Sequence, residues 1–311
     1  VHVETTAARR RGFELSAAQF LWPALASVAV LWLIMVTGAA VRLTDSGLGC
    51  RHWPGCEKGN PLPAKNYHAF IEFGNRALGA ITIAVVLLTA LAAARTPSLP
   101  RWARRLALLV FLGTLAQAPL GYLAVKTDLR WPIVATHLLL SAVVLAGAVV
   151  VALEAFSAAD GRGGPLGSAE LRWIGLVMGV AGLALLVTGT LATAAGPHSG
   201  GGAQHVDRLW RLQPLIYVHA TAVAVFATGL VFVLGYLAPR RAEAPRLFAC
   251  ALAVLALLLV QMIVGEVQYR THLPWPLVLA HVGLAAAVWA VLVAFITVLW
   301  RPPRALVQGR T

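Results

Sequence analysis

The stretch 117–137, QAPLGYLAVKTDLRWPIVATH, returns as 261–281, QMIVGEVQYRTHLPWPLVLAH. Gln117, Gly121, Thr127, Leu129, Trp131, Pro132 and His137 recur as Gln261, Gly265, Thr271, Leu273, Trp275, Pro276 and His281, each pair 144 positions apart. The same offset carries His219 back to Asn75. The chain therefore reads as two copies of one module, each with two equivalent positions at which a ligating side chain can stand. The second copy fills them with His219 and His281, the first with Asn75 and His137.

What surrounds the repeat sets its solvent. The chain has 311 residues, of which 59% are hydrophobic and 12% charged, with a mean hydropathy of +0.78. A soluble domain carries about twice that charge. A helix needs about 20 apolar residues to cross a bilayer, and eight segments supply them, near 20–42, 69–94, 104–125, 132–154, 171–194, 214–238, 246–267 and 276–299. The runs are continuous and too long for tilted strands, so helices are expected and a barrel is not. Segment 20–42 is too long for a signal-peptide core and has no small-residue cleavage site after it, so it reads as the first anchor. The fold class is all-α, a polytopic membrane protein of eight transmembrane helices.

Four helices per module is an even number, so the two bundles have the same orientation, as parallel repeats about an axis along the membrane normal. The expected division is 1–156 for the first module, 157–170 for a polar, glycine-rich linker, and 171–311 for the second. Val36-Thr37-Gly38 also matches Val187-Thr188-Gly189, at an offset of 151. The offset falls to 144 by Asn75 and His219, so the first outer loop is the longer of the equivalent pair by the difference.

A net charge of +13 raises the question of nucleic acid. The placement of the charges answers it. Arg9, Arg10 and Arg11 precede the first helix; Arg95, Arg101, Arg104 and Arg105 lie between the second and third. Arg162 and Arg172 flank the linker, Arg240, Arg241 and Arg246 the sixth and seventh helices, and Arg301, Arg304 and Arg310 follow the eighth. All of these fall on one side, and the positive-inside rule then puts both termini in the cytoplasm. An anionic lipid leaflet accounts for the excess, and no nucleic-acid partner is expected.

Cys50 and Cys56 lie in the first loop on the exported side, where thiols oxidise, and this favours a disulfide. A metal site is the alternative because His52 stands between them, although the spacing fits no zinc pattern. Cys250, in an apolar run, reads as a small buried hydrophobe. The third outer loop, Gly196-Pro197-His198-Ser199-Gly200-Gly201-Gly202-Ala203, is glycine-rich but lacks the Lys-Ser/Thr of a phosphate loop.

His137, His219 and His281 each follow a proline (Pro132, Pro214, Pro276) by five residues. At 1.5 Å per residue each sits roughly 7–8 Å below the outer end of its helix. Facing helices with histidines at equal depth can hold a planar haem by two axial ligands. A lone histidine in a membrane helix can instead hydrogen-bond a neighbouring helix; the repeat favours ligation, most of all for His219 and His281. Glu72 is one turn before Arg76, so the two share a face and can pair as an interfacial ion pair. Glu266 is a further acidic group that can reach the interface.

These motifs resemble those of the haem A synthase family. Val41-Arg42-Leu43-Thr44-Asp45-Ser46-Gly47-Leu48-Gly49-Cys50, followed by Trp53-Pro54 and Cys56, is similar to that family's first outer loop. Ile71-Glu72-Phe73-Gly74-Asn75-Arg76 is similar to its Glu-x-x-His-Arg motif, with Asn75 in place of the histidine. The eight helices, the tandem repeat and the histidines of helices 4, 6 and 8 agree, so the similarity spans nearly the whole chain. The second cysteine pair that some members carry in outer loop 3 is absent.

The resemblance implies oxidation of a methyl group of haem O to the formyl group of haem A, for cytochrome oxidase biogenesis in a bacterial plasma membrane. It implies successive hydroxylations with water as oxygen source. His219 and His281 would hold the iron of a resident haem b. The substrate haem would lie in the first module near His137, Asn75 and Arg76, with Glu72 catalytic and Cys50–Cys56 as the loop pair. Asn75 is a poor iron ligand, which points to an open axial position or to a first module without activity; the retained Glu72, Arg76, His137 and cysteine pair favour the former. Partners implied are haem O, a haem O synthase, an electron acceptor of unknown identity and membrane lipid. A di-haem electron-transfer protein and, more remotely, a parallel-repeat transporter are the competing readings.

Overall fold

The computed structural model describes residues 13–50, 52–60, 62–164, 168–202, 206–242 and 244–307. Arg9, Arg10, Arg11, Arg310, Ala203, His205 and linker residues 165–167 lie outside these. Eight long helices form among the described residues: α1 (Ala17–Leu43), α2 (Tyr67–Ala94), α3 (Arg101–Lys126), α4 (Trp131–Asp160), α5 (Ala169–Ala195), α6 (Leu212–Leu237), α7 (Pro245–Arg270) and α8 (Trp275–Trp300). All eight are long and apolar enough to span a membrane. The protein is a polytopic, all-α membrane protein.

The helices start where local chemistry satisfies their free N–H groups. Ser16 accepts from the Gln19 N–H and forms a capping box with it; Asn66 accepts from Ala69 N–H at 2.8 Å, and Ser168 from Leu171 N–H at 3.3 Å. Proline occupies the first turn of α4, α7 and α8, where its missing N–H is not needed. The linker is shorter than expected, because α4 continues to Asp160 and ends at Gly161, whose φ of +95° suits glycine.

The repeated sequence produces a repeated turn. Asp128 and Leu129 have φ of 51° and 58°, and His272 and Leu273 have 63° and 59°. Left-handed backbone is uncommon for residues with a side chain, and here it occurs twice in succession at the same two repeat positions. Matching hydrogen bonds hold it: Leu129 N–H donates to Ala124 O at 2.8 Å, and Leu273 N–H to Gln268 O at 2.7 Å. These are the long bonds that satisfy the last helical carbonyls before α4 and α8.

α4 and α8 form the centre. Half of the spanning window of each is buried, against 11–28% for the other six. α4 packs on α1, α3, α5 and α8, and α8 on α1, α4, α5 and α7. Trp32 on α1 donates to Gly283 O at 3.0 Å, and Trp289 on α8 donates to Ala142 O at 2.8 Å, so indole N–H groups find partners across the α1–α8 and α4–α8 contacts. The packing of α1 on α4 and α2 on α3 is more extensive than that of α5 on α8 and α6 on α7. The last four helices thus enclose more space than the first four.

At the linker end, Glu154 on α4 is 2% exposed and is bound by Arg162 and Arg301. Arg301 Nε donates at 3.0 Å and its guanidinium lies over the Trp102 ring at 5.0 Å. A carboxylate buried this deeply needs its partners: removing one side of a buried pair costs about 3–5 kcal/mol, less here because both arginines are partly exposed. Gly163 N–H to Pro302 O and Arg304 N–H to Gly161 O complete the join between the ends of α4 and α8. In the sequence these arginines register only as charge bias.

Candidate functional site

α6 begins at Leu212 and α8 at Trp275, so His219 and His281 are about 10 and 9 Å along their helices at 1.5 Å per residue. His137 is at the same place on α4, and Asn75, eight residues into α2, about 12 Å along. The helices begin before the prolines, so the positions are slightly deeper than the proline spacing predicts.

His219 and His281 line one cavity of about 790 Å³, within the roughly 300–1,000 Å³ usual for cofactor and ligand sites. Its walls are overwhelmingly apolar and include Leu185, Phe226, Leu258, Trp289 and Leu292; Gly196, Pro197 and His198 line its loop end. Glycine makes room for both imidazoles. A Cβ on Gly189 would lie 3.0 Å from His219 Cε1, and one on Gly265 2.9 Å from His281 Cε1. His219 Nδ1 is 3.1 Å from the Thr188 hydroxyl. His281 Nδ1 and Gln261 Oε1 are buried without a hydrogen-bond partner among the described residues, while Gln261 Nε2 donates to His281 O at 3.0 Å. Two imidazoles from different helices in one apolar chamber of this size fit a haem.

In the first half the same framework carries different contacts. Thr37 donates to Asn75 Oδ1 at 2.8 Å, in the repeat position of Thr188 and His219. A Cβ on Gly38, the repeat counterpart of Gly189, would meet nothing within 4 Å, because the amide stops short of where an imidazole reaches. His137 stands against Gly121, whose Cβ position is 3.9 Å from its Cε1, and its Nδ1 is also buried without a partner among the described residues. Gln117 Nε2 donates to Ser141 Oγ at 3.0 Å, and Ser141 in turn bonds His137 O. His137 is not among the residues of the large cavity, though its neighbours Leu138 and Leu139 are.

Cys50 and Cys56 form a disulfide and are 1% exposed. Both thiols are thereby spent, which removes the metal alternative; His52 contributes its backbone N–H to Cys56 O at 3.2 Å. Glu72 and Arg76 are built into this loop. Glu72, 5% exposed, accepts from Cys50 N–H at 2.7 Å and from Arg76 Nη2 at 2.5 Å. Arg76 Nη1 also donates to His52 O and Gly55 O, both at 2.6 Å. The pair is thus an ion pair that also clamps the disulfide loop onto α2. Gly49 allows this approach, since a Cβ there would lie 2.6 Å from the His68 carbonyl. Trp53 continues the loop to α3, edge-on to Tyr122 with centroids 5.8 Å apart.

A second set of contacts joins the outer loops of the two halves. Arg42 donates to Thr193 O at 2.9 Å and to His198 O at 3.0 Å, so it satisfies a terminal carbonyl of α5. Gly47 N–H donates to Gly200 O at 2.9 Å, and His198 Nε2 lies 2.7 Å from Leu273 O. His68 Nδ1 is 3.1 Å from Ser46 Oγ. His68 and His198 therefore serve the loops. Glu266 pairs with Arg270 at 2.5 Å on an exposed surface, and Cys250 is a free, half-buried thiol against the core. Sequence reasoning does not single out Arg42, Thr37, Thr188 or the two glutamines as contact residues, although all but Arg42 stand at repeated positions that signal them.

A family model described as cytochrome oxidase assembly protein matches residues 21–293. The chain belongs to this family. Similar proteins are known by name. One named heme A synthase, from Bacillus pumilus, is 34% identical over 131 residues, 42% of each chain. Another of that name, from Symbiobacterium thermophilum, is 40% identical over 104 residues, 32% of this chain and 33% of its own. A protein named protoheme IX farnesyltransferase, from Thermus thermophilus, is 30% identical over 307 residues, 89% of this chain but 48% of its own length. The chain thus spans less than half the length of each of these relatives.

Proposed function

We propose that this protein is a haem A synthase that oxidises a methyl group of haem O to a formyl group. The observation that carries the proposal is the pairing of two intramembrane imidazoles, His219 and His281, at one apolar cavity in a chain of the cytochrome oxidase assembly family. The net change, methyl plus water to formyl, releases four protons and four electrons, so an electron acceptor in or at the membrane is required. The Nε2 atoms of His219 and His281 would hold haem b, which supplies a one-electron relay when bound. The first module, with His137, Asn75 and Arg76, would take the haem substrate. Glu72 acts there as base or as a fixed negative charge beside developing positive charge. The disulfide end faces the exported side of a bacterial plasma membrane, with both termini in the cytoplasm. The match to about half of a protein named protoheme IX farnesyltransferase supports a haem O synthase as the partner that supplies substrate.

The test is to express the chain with a haem O source in cells that lack their own haem A synthase, then extract and separate the pigments. Haem A together with protein-bound haem B is the expected result; haem O alone, with an intact folded protein, would overturn the proposal.

Glu72→Gln separates chemistry from clamping. The substitution keeps the acceptor for Cys50 N–H and removes the charge. General acid–base groups contribute about 10²–10⁴-fold, so a loss of haem A of that size is expected, with haem O accumulating. The double variant Cys50→Ser, Cys56→Ser loosens the loop with the carboxylate in place. It is expected to lose less than about tenfold. Equal losses in the two would assign Glu72 to the loop alone.

A further inference from the structure

We propose that Thr188 is the residue that fixes the tautomer and aim of His219, with Gly189 vacating the space the ring needs. The inference rests on His219 being an iron ligand, and it goes beyond that reading by naming what orients the ligand. The distances around the hydroxyl carry it. The Thr188 hydroxyl has two acceptors on its own helix, Ala184 O at 2.9 Å and Leu185 O at 3.1 Å, the first nearer than His219 Nδ1. A hydroxyl has one hydrogen and two lone pairs. With that hydrogen turned to Ala184 O, the nearest acceptor, the hydroxyl offers His219 Nδ1 a lone pair at 3.1 Å, and in this assignment Nδ1 carries the proton.

The neutral ring has one proton, so Nε2 keeps its lone pair for iron. Metal-bound histidines gain ligand basicity and a fixed plane from such a bond. Gly189 contributes the other half of the cradle: its missing Cβ is where His219 Cε1 approaches to 3.0 Å. The same Thr-Gly dipeptide recurs as Thr37-Gly38 beside Asn75, where the hydroxyl again meets the side chain at 2.8 Å. The cradle is thus a property of the repeat and not of one loop.

Thr188→Val keeps the shape and deletes the hydroxyl; Thr188→Ser keeps the hydroxyl and trims a methyl. Each purified membrane protein is titrated with haem b, and the reduction potential and paramagnetic resonance of the low-spin haem are recorded. Loss of such an outer partner typically costs about 10–100-fold in metal affinity. Valine is expected to show that loss, with a potential raised above wild type because the imidazole donates less charge. Serine is expected to restore both. Valine matching wild type in affinity, potential and spectrum would overturn the role of Thr188. His219→Ala, run alongside, tests the ligand assignment separately: if it retains the low-spin haem, the reading of His219 fails whatever Thr188 does.

Discussion

Alanine in place of His219 or of His281 is expected to abolish the low-spin haem signal of the purified protein. Among the described residues lining the cavity, no third imidazole stands at that depth. Its walls are apolar, and the imidazole at its loop end, His198, is engaged by Leu273 O at 2.7 Å. Removing either ring takes away one of the two imidazole ligands, so the expected change is from a sharp bis-histidine low-spin spectrum to a high-spin or haem-free one. Reduced-minus-oxidised optical spectra and paramagnetic resonance measure it directly. His137→Ala is the comparator. It stands on α4 against Gly121, away from the residues of the large cavity, and should leave the resident signal in place. A low-spin haem b that persists unchanged in both the His219 and His281 variants would end the assignment.

Asn75→His should create a second six-coordinate haem. The first half keeps two features of the His219 site. Thr37 Oγ1, now 2.8 Å from Asn75 Oδ1, is positioned to meet Nδ1 of a histidine there, as Thr188 Oγ1 meets that of His219 in the second half. The space beside Gly38 is open, where its counterpart Gly189 already touches an imidazole. Haem titration into wild type should give one tightly held low-spin haem and one labile haem; the variant should hold both. Haem A yield should fall in the variant, because a closed ligand set slows product release. Two bis-histidine haems in wild type would refute the open position. The ligand would then have to come from elsewhere. His68 and His198 are occupied with Ser46 and Leu273, and His205 lies outside the described residues.

Much of the fold is legible in the order of the residues. Membrane helices announce themselves because hydrocarbon leaves no alternative to internal backbone hydrogen bonding over about 20 apolar residues. All eight expected segments are helices, longer by a few residues where α4 runs on past the expected linker start. The 144-residue offset persists in the folded chain in detail, down to two consecutive left-handed residues before α4 and before α8. A duplicated sequence repeats its local turn chemistry because both copies obey the same short-range rules. The histidine positions and the cysteine pair are equally visible.

The sequence alone determined the solvent of this protein, its helix count, its internal repeat and the candidate ligands, because each depends on residues close together or on periodic offsets. The tertiary structure decided the rest. Two copies of one pattern give no reason for the cavity to lie with His219 and His281; that follows from the looser packing of α5 on α8 and α6 on α7. Glu72 and Arg76 read as a helical ion pair, but only the folded loop shows that they also bind the backbone of Cys50, His52 and Gly55. The Arg42 contacts to Thr193 and His198 span more than 150 residues. Glu154 meets Arg301 across 147. No periodicity encodes such pairs. They exist because a buried charge or terminal carbonyl must find a partner wherever packing brings one, and packing is a property of the whole bundle.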